Sequence, residues 1–134
     1  MRNETVATLN GRPVVAMDSI SLIAAKDAGA IIVCGSHGGA ISGAFAAMHP
    51  PALVVFNDAG GGKRDAGVAS LAALEREGIA AAAVSHDSAR IGDALETFES
   101  GVISAVNERA KAAGFAFGRP LREAIRDVLG RAHA

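Results

Sequence analysis

Apolar residues in this chain come in short unbroken runs, and three of those runs each give way to a small, polar, glycine-bearing segment. Residues 30–34 lead into Gly35-Ser36-His37-Gly38-Gly39, residues 52–56 into Asn57-Asp58-Ala59-Gly60-Gly61-Gly62, and residues 79–84 into Ser85-His86-Asp87-Ser88. A strand that is apolar on consecutive positions is buried on both faces, as in a parallel sheet covered by helices, whereas a half-exposed antiparallel strand alternates. The stretches between the runs carry helix stop signals. Residues 39–48 end at Pro50-Pro51, and residues 65–77 end at Gly78.

At the start of the chain, residues 5–9 and 13–17 flank Asn10-Gly11, a dipeptide that tolerates positive φ and favours a tight hairpin. Pro13 lacks a backbone donor and belongs at a strand start or edge. Asp18-Ser19 reads as an N-cap pair for a short helix over residues 20–28, closed by Gly29. Past the third run, Ile91, Leu95, Phe98, Val102, Val106 and Ala110 recur at spacings of three and four, which predicts one long amphipathic helix ending before Gly114. A last segment, opened by Gly118-Arg119-Pro120, sets Leu121, Ile125, Val128 and Leu129 against Arg126 and Arg131. The expectation is one three-layer α/β domain over residues 1–134. Its sheet is expected to be mostly parallel, with four to five strands and an N-terminal β-hairpin edge, Rossmann-like or flavodoxin-like. In such sheets the loops at the carboxyl ends of the strands line a shared crevice, which gathers the three glycine-bearing segments around one ligand.

Composition narrows the partners. A chain of 134 residues supports a single core that buries about two thirds of its unfolded surface. Trp and Tyr are absent and Ala dominates the apolar set, so helices meet through small faces and a homo-oligomer is expected. A net charge of −1 with interspersed signs provides no basic field for nucleic acid. Nor does Phe alone make a stacking platform for single strands. No apolar run approaches the ~20 residues that cross a bilayer, so no membrane partner is expected. The single cysteine and the lack of a leader pattern point to a cytoplasmic protein.

The polar segments supply the candidate chemistry. His37 is the expected proton-transfer group, because an ordinary imidazole titrates near neutrality. Ser36 would be a donor or weak nucleophile, and Gly38 and Gly39 would offer backbone contacts at a helix start. The plainer alternative has Ser36 capping the helix and His37 bonded to a neighbouring loop. Asp58 is the expected orienter or second acid/base, with Asn57, Gly60 and Gly61 as substrate contacts, or else Asn57 and Asp58 only fix the turn. Ser85 and Ser88 are either substrate contacts or caps of the next helix. Arg90 is either a clamp for a substrate carboxylate or an ion-pair partner of Asp93 or Asp58.

Asp18 either joins this rim or serves as a cap, and Cys34 reads as a buried small hydrophobe. His37, His86 and Asp58 have no paired-ligand spacing, so no metal and no cofactor is expected. Lys63 and Arg64 invite a phosphate, but Asn57 stands where a Walker loop needs Gly and Arg64 where it needs Ser or Thr. A dinucleotide loop would need Gly where Asp65 stands.

The order of strand, His-Gly, helix, strand and helix over residues 30–85 resembles the core of the caspase-like peptidase clan, including its CHAT branch. Residues 31–39 look like its histidine segment and residues 53–61 like its cysteine segment. The resemblance implies that His37 stands for the catalytic histidine and that the nucleophile position falls at Ala59, which cannot attack a carbonyl. In general look the chain also resembles small bacterial α/β proteins. The expected function is a hydrolase or lyase acting on a polar, carboxylate- or amide-bearing small molecule. The alternatives are a non-catalytic binding or accessory subunit and, more weakly, a phosphate-ligand binder using residues 60–63.

Overall fold

The hairpin signalled by Asn10-Gly11 is present in the computed structural model, which describes residues 1–61 and 67–130. Strands β1 (Asn3–Leu9) and β2 (Arg12–Met17) pair antiparallel, with Asn10 at φ 52 and Gly11 at φ 75 making the turn. The apolar runs follow as β3 (Ile31–His37), β4 (Leu53–Asn57) and β5 (Ala80–Val84), each parallel to the strand before it. A sixth strand, β6 (Ile103–Val106), closes the sheet antiparallel to β5. The result is a single α/β domain whose sheet is mixed, with the order β1-β2-β3-β4-β5-β6.

That order corrects two expectations. Among the described residues the sheet has six strands with an antiparallel pair at each edge, so it is mixed, not mostly parallel. Strand order also follows chain order without reversal, so no switch point opens a crevice between diverging loops. The carboxyl ends of β2 to β5 line one edge of the sheet instead.

The layers follow from strand direction. Successive parallel strands step the same way across the sheet, and right-handed crossovers then put their connections on one face. On that face α1 (Ala40–Met48) and α2 (Ser70–Arg76) bury Ala46, Leu71 and Leu74 against Val15, Ile32, Val54 and Phe56. Here the expected helix over residues 20–28 is two single 3₁₀ turns, Ile20–Leu22 and Ala25–Asp27. Part of the expected helix over residues 65–77 lies outside the described residues. The opposite face holds Val14, Ile31, Val33, Leu53 and Val55 under α3 (Ala94–Ser100), α4 (Glu108–Ala113) and α5 (Leu121–Leu129).

The long helix expected between Ile91 and Gly114 is instead α3, β6 and α4. Gly101 ends α3 in extended backbone, Val102 and Ile103 are β-branched, and Asn107 caps α4 by accepting from Ala110 N–H. A spare sheet edge beside β5 rewards an extended segment more than three further helical turns would. Ile91, expected on the buried face of that helix, is exposed.

Asn107 secures this corner. It is buried, its side-chain amide donates to the carbonyls of Leu71 (3.3 Å) and Ile79 (2.9 Å), and its Oδ1 accepts from Ala81 N–H (3.1 Å) and Ala110 N–H (3.0 Å). One side chain thereby joins α2, β5 and α4.

Candidate functional site

Residues 85–94 leave β5 and run back along the rim as a strap, reaching the far face where α3 begins. Its tethers are several of the polar groups that the sequence offered to a ligand. Asn57, fully buried, donates from Nδ2 to Ala89 O (2.8 Å) and accepts Ala59 N–H on Oδ1 (2.8 Å). Gly92 N–H donates to Gly35 O (2.8 Å), and Ala94 N–H donates to Asp18 Oδ1 (3.0 Å). Gly35 is a site of close approach, since a Cβ there would lie 2.5 Å from Gly92 C and 2.7 Å from both Asp18 O and Asp93 N. Asp18 also accepts Arg2 N–H at 2.7 Å. Burial pushes its pKa up, but the amides of Ala94 and Arg2, the Arg2 guanidinium and the chain amino group together hold it below its ordinary value.

The serines are similarly occupied. Ser36 Oγ accepts Ile20 N–H (3.0 Å) and so anchors the first 3₁₀ turn. Ser85 Oγ accepts Ser88 N–H (3.2 Å), while Ser88 Oγ donates to Ser85 O (2.8 Å) and accepts Val102 N–H (2.9 Å). Arg90 lines a hollow with Arg2, Glu4, Asp18 and Asp93, apart from the cleft beside His37. Cys34 is fully buried, its thiol donates to Val55 O (3.2 Å), and burial pushes its pKa up to about 12. It is not a nucleophile in this state.

The rest of the rim carries two exposed imidazoles. His37 ends β3 in register with Asn57, and its Nδ1 accepts Gly39 N–H (3.1 Å) at the start of α1. In the neutral ring the proton therefore belongs on Nε2. Beside it lies an open cleft of about 490 Å³ lined by Gly39, Ala40, Ile41, Ser42 and Ala69. Gly38 permits this packing. A Cβ there would lie 2.6 Å from Gly67 O, and its carbonyl accepts both Ser70 N–H (2.9 Å) and Ser70 Oγ–H (2.8 Å).

His86 stands two strands along, at the end of β5. Its Nδ1 is 3.5 Å from Asp58 Oδ1, and its Nε2 is 3.2 Å from Asp87 Oδ1. Asp58 therefore partners His86, and no contact with His37 is formed among the described residues. The Asp58 side chain is 16% exposed and well supplied with donors. Gly60 N–H (2.8 Å) and His86 N–H (3.0 Å) donate to Oδ1, and Ser104 Oγ–H donates to Oδ2 (2.7 Å). Burial pushes its pKa up. The Ser104 hydroxyl, the two amides and the nearby His86 ring outweigh that, leaving the carboxyl below its ordinary value.

Between the imidazoles the chain turns through three successive left-handed residues, Ala59 (φ 52), Gly60 (φ 76) and Gly61 (φ 85). Only glycine takes this conformation without cost, which accounts for two of the glycines. Gly60 also backs onto the His86 ring, a Cβ there falling 3.4 Å from its Cε1. Ala59, the position aligned with a cysteine in the peptidase resemblance, is an exposed turn residue. Gly62, Lys63, Arg64 and Asp65 lie outside the described residues, and with them most of the phosphate-loop reading.

Ser104 and Asn107 had no place in the sequence reading. Asn107 was detectable as an N-cap after a β-branched run, but Ser104 carried no such signal. Among the described residues, no three His, Cys, Asp or Glu side chains are grouped to hold a metal, and no helix is long and apolar enough to cross a membrane. No buried side-chain nitrogen or oxygen among them lacks a partner.

Fold and rim together define a single-domain α/β protein with two accessible imidazoles on one sheet edge, one tied to a helix start and the other to a carboxylate. Compared with protein families, curated proteins and solved structures, the chain finds no match in any of the three.

Proposed function

We propose that this protein is a small-molecule enzyme of hydrolase or lyase type, acting on a polar carboxylate- or amide-bearing metabolite at the rim between His37 and His86. The observation that carries the reading is the Gly39 N–H donated to His37 Nδ1. It commits the neutral ring to an Nε2–H donor suited to polarising a substrate carbonyl, and makes His37 a poor general base. His86 is then the proton acceptor at Nε2, where substrate takes the place of the exposed Asp87 carboxylate 3.2 Å away, while the Asp58 carboxylate stands 3.5 Å from Nδ1. A neutral donor facing a carbonyl and a base on its far side serve both water addition and proton abstraction. The two imidazoles stand two strands apart with the Ala59–Gly61 turn between them, so the substrate would lie over that turn.

The roles proposed for Arg90, Asn57, Ser36, Ser85 and Ser88 are not retained, since Asn57 anchors the strap, Ser36 anchors the first 3₁₀ turn, Ser85 and Ser88 shape the strap's own turn, and Arg90 lines another hollow. Peptidase chemistry is not proposed either, because Ala59 has no nucleophile and Cys34 is buried. The test is a thermal-shift screen against carboxylic acids and amides, with turnover of stabilising compounds followed by mass spectrometry. His37→Ala and His86→Ala should each lose turnover while melting within about 2 °C of wild type, as exposed substitutions do. Turnover that survives both changes would refute the assignment.

A second reading is a non-catalytic subunit that pairs with another copy of itself, and one observation favours it. Helix α1 has no charged residue, yet Ile41 is 76% and Met48 66% exposed on its surface. A helix apolar all round is ordinarily buried. Under this reading Ile41→Glu converts a dimer to a monomer in light scattering, and His37→Ala changes nothing.

A further inference from the structure

The β5–β6 ladder contains one irregularity, and it falls at Ser104. Ala82 pairs with Val106 and Ala83 with Ala105, but Val84 pairs with Ile103, so Ser104 is an extra residue with no partner on β5. This is a β-bulge, a device that re-aims a side chain. Its effect is visible in the packing. Residues two apart in a regular strand share a face, yet Ile103 belongs to the cluster beneath α3 and α5, while Ala105 packs with the cluster beneath α1 and α2. The strand changes phase across Ser104, and the Ser104 hydroxyl reaches Asp58 Oδ2 at 2.7 Å.

We infer that Ser104 is a positioning residue for the His86–Asp58 pair: the β6 bulge aims its hydroxyl at Asp58 Oδ2, and that bond sets where Oδ1 meets the imidazole. The terminal torsion of an aspartate is broad, so a carboxylate holds one orientation only when both oxygens are engaged. Oδ1 is engaged from the loop side by the amides of Gly60 and His86. Ser104 supplies the opposing hold from a strand outside the parallel set. Without it the carboxylate keeps its two amide bonds at Oδ1 but loses the hold on Oδ2, so its plane can turn about Oδ1 and change its approach to the ring. Among the described residues the charged groups facing the His86 ring are Asp58 and Asp87. Asp87 is exposed and lies on the other nitrogen, so Asp58 is the carboxylate that orders Nδ1.

The inference rests on the acid–base reading of the rim, but its test needs no substrate, so absent turnover would defeat that reading alone. The full chain, labelled with ¹³C and ¹⁵N, is titrated by NMR while the Asp58 carboxyl carbon and the His86 ring nitrogens are followed. In Ser104→Ala the Asp58 titration should move to higher pH, because a donor to its charged form is gone, and the His86 ring signals should shift. Ser104→Thr, which keeps the hydroxyl, should restore both. A folded Ser104→Ala with both readouts unchanged overturns the inference. Should that variant fail to fold, Asp58→Asn provides the check, and His86 ring signals indifferent to it overturn the inference equally.

Discussion

The amide of Gly39 lies 3.1 Å from Nδ1 of His37, two residues back along the chain, and this contact decides which imidazole nitrogen is available to a ligand. The neutral ring should therefore be the Nε2–H tautomer. Ring ¹⁵N shifts above neutral pH check this, and an Nδ1–H tautomer would remove the donor role.

Asn57 is fully buried and bridges the strap to the turn through Ala89 O and Ala59 N–H. Asn57→Ala strands both backbone groups. It should cost about 2 to 4 kcal/mol in urea unfolding, well above an ordinary surface change.

Gly35 is hemmed in by two backbone segments, the Gly92–Asp93 peptide and the Asp18 carbonyl, at 2.5 to 2.7 Å from where a Cβ would sit. Backbone cannot swing aside as a flexible side chain can, so Gly35→Ala must push the strap off the rim. The expected result is a loss of several kcal/mol and faster amide exchange at Gly92 and Ala94, whose N–H groups hold the strap down.

Acid should weaken the fold through Asp18 and Asp58, both held below the ordinary carboxyl value. For a depressed pKa the stabilisation is fully present above the unfolded value of about 4, and it is lost as pH falls through the folded value. Unfolding free energy should thus drop below pH 4. Asp18→Asn and Asp58→Asn should each be less stable at neutral pH, with a shallower decline in acid. Parallel curves for wild type and both variants would contradict this.

The Cys34 thiol, buried and with its pKa pushed up to about 12, should resist a disulfide reagent in the native protein and react once in denaturant. Reaction without unfolding would mean that the β3–β4 core opens readily.

The strands were legible because burial on both faces leaves a mark that needs no partner to be read: consecutive apolar residues from Ile31 to Cys34 and from Leu53 to Phe56. Helix α5 was legible for a related reason, its apolar and charged faces separating at helical spacing. The stretch from Ile91 to Ala110 misled because spacings of three and four also arise when a helix, a strand and a helix follow one another. The breaks at Gly101 and Asn107 were the better guide there.

At the site, the sequence placed His37, Asp58 and His86 on neighbouring strand ends and offered Asp58 as orienter of His37 or as a second acid/base; in the structure its imidazole neighbour is His86. Partner choice depends on how far each strand runs and where the ladder slips, and both are settled by packing.

From residues alone one could know that a central parallel set of strands would form and that polar, glycine-bearing segments would follow its carboxyl ends, because these follow from local periodicity and turn preference. Only the folded chain decided that Asn57 and Asp18 tether a strap, that Asp58 lies beside His86, and that Ser104 reaches Asp58. Each of those outcomes is a hydrogen bond between groups distant in sequence or a choice between competing partners, and long-range geometry leaves no local pattern to read.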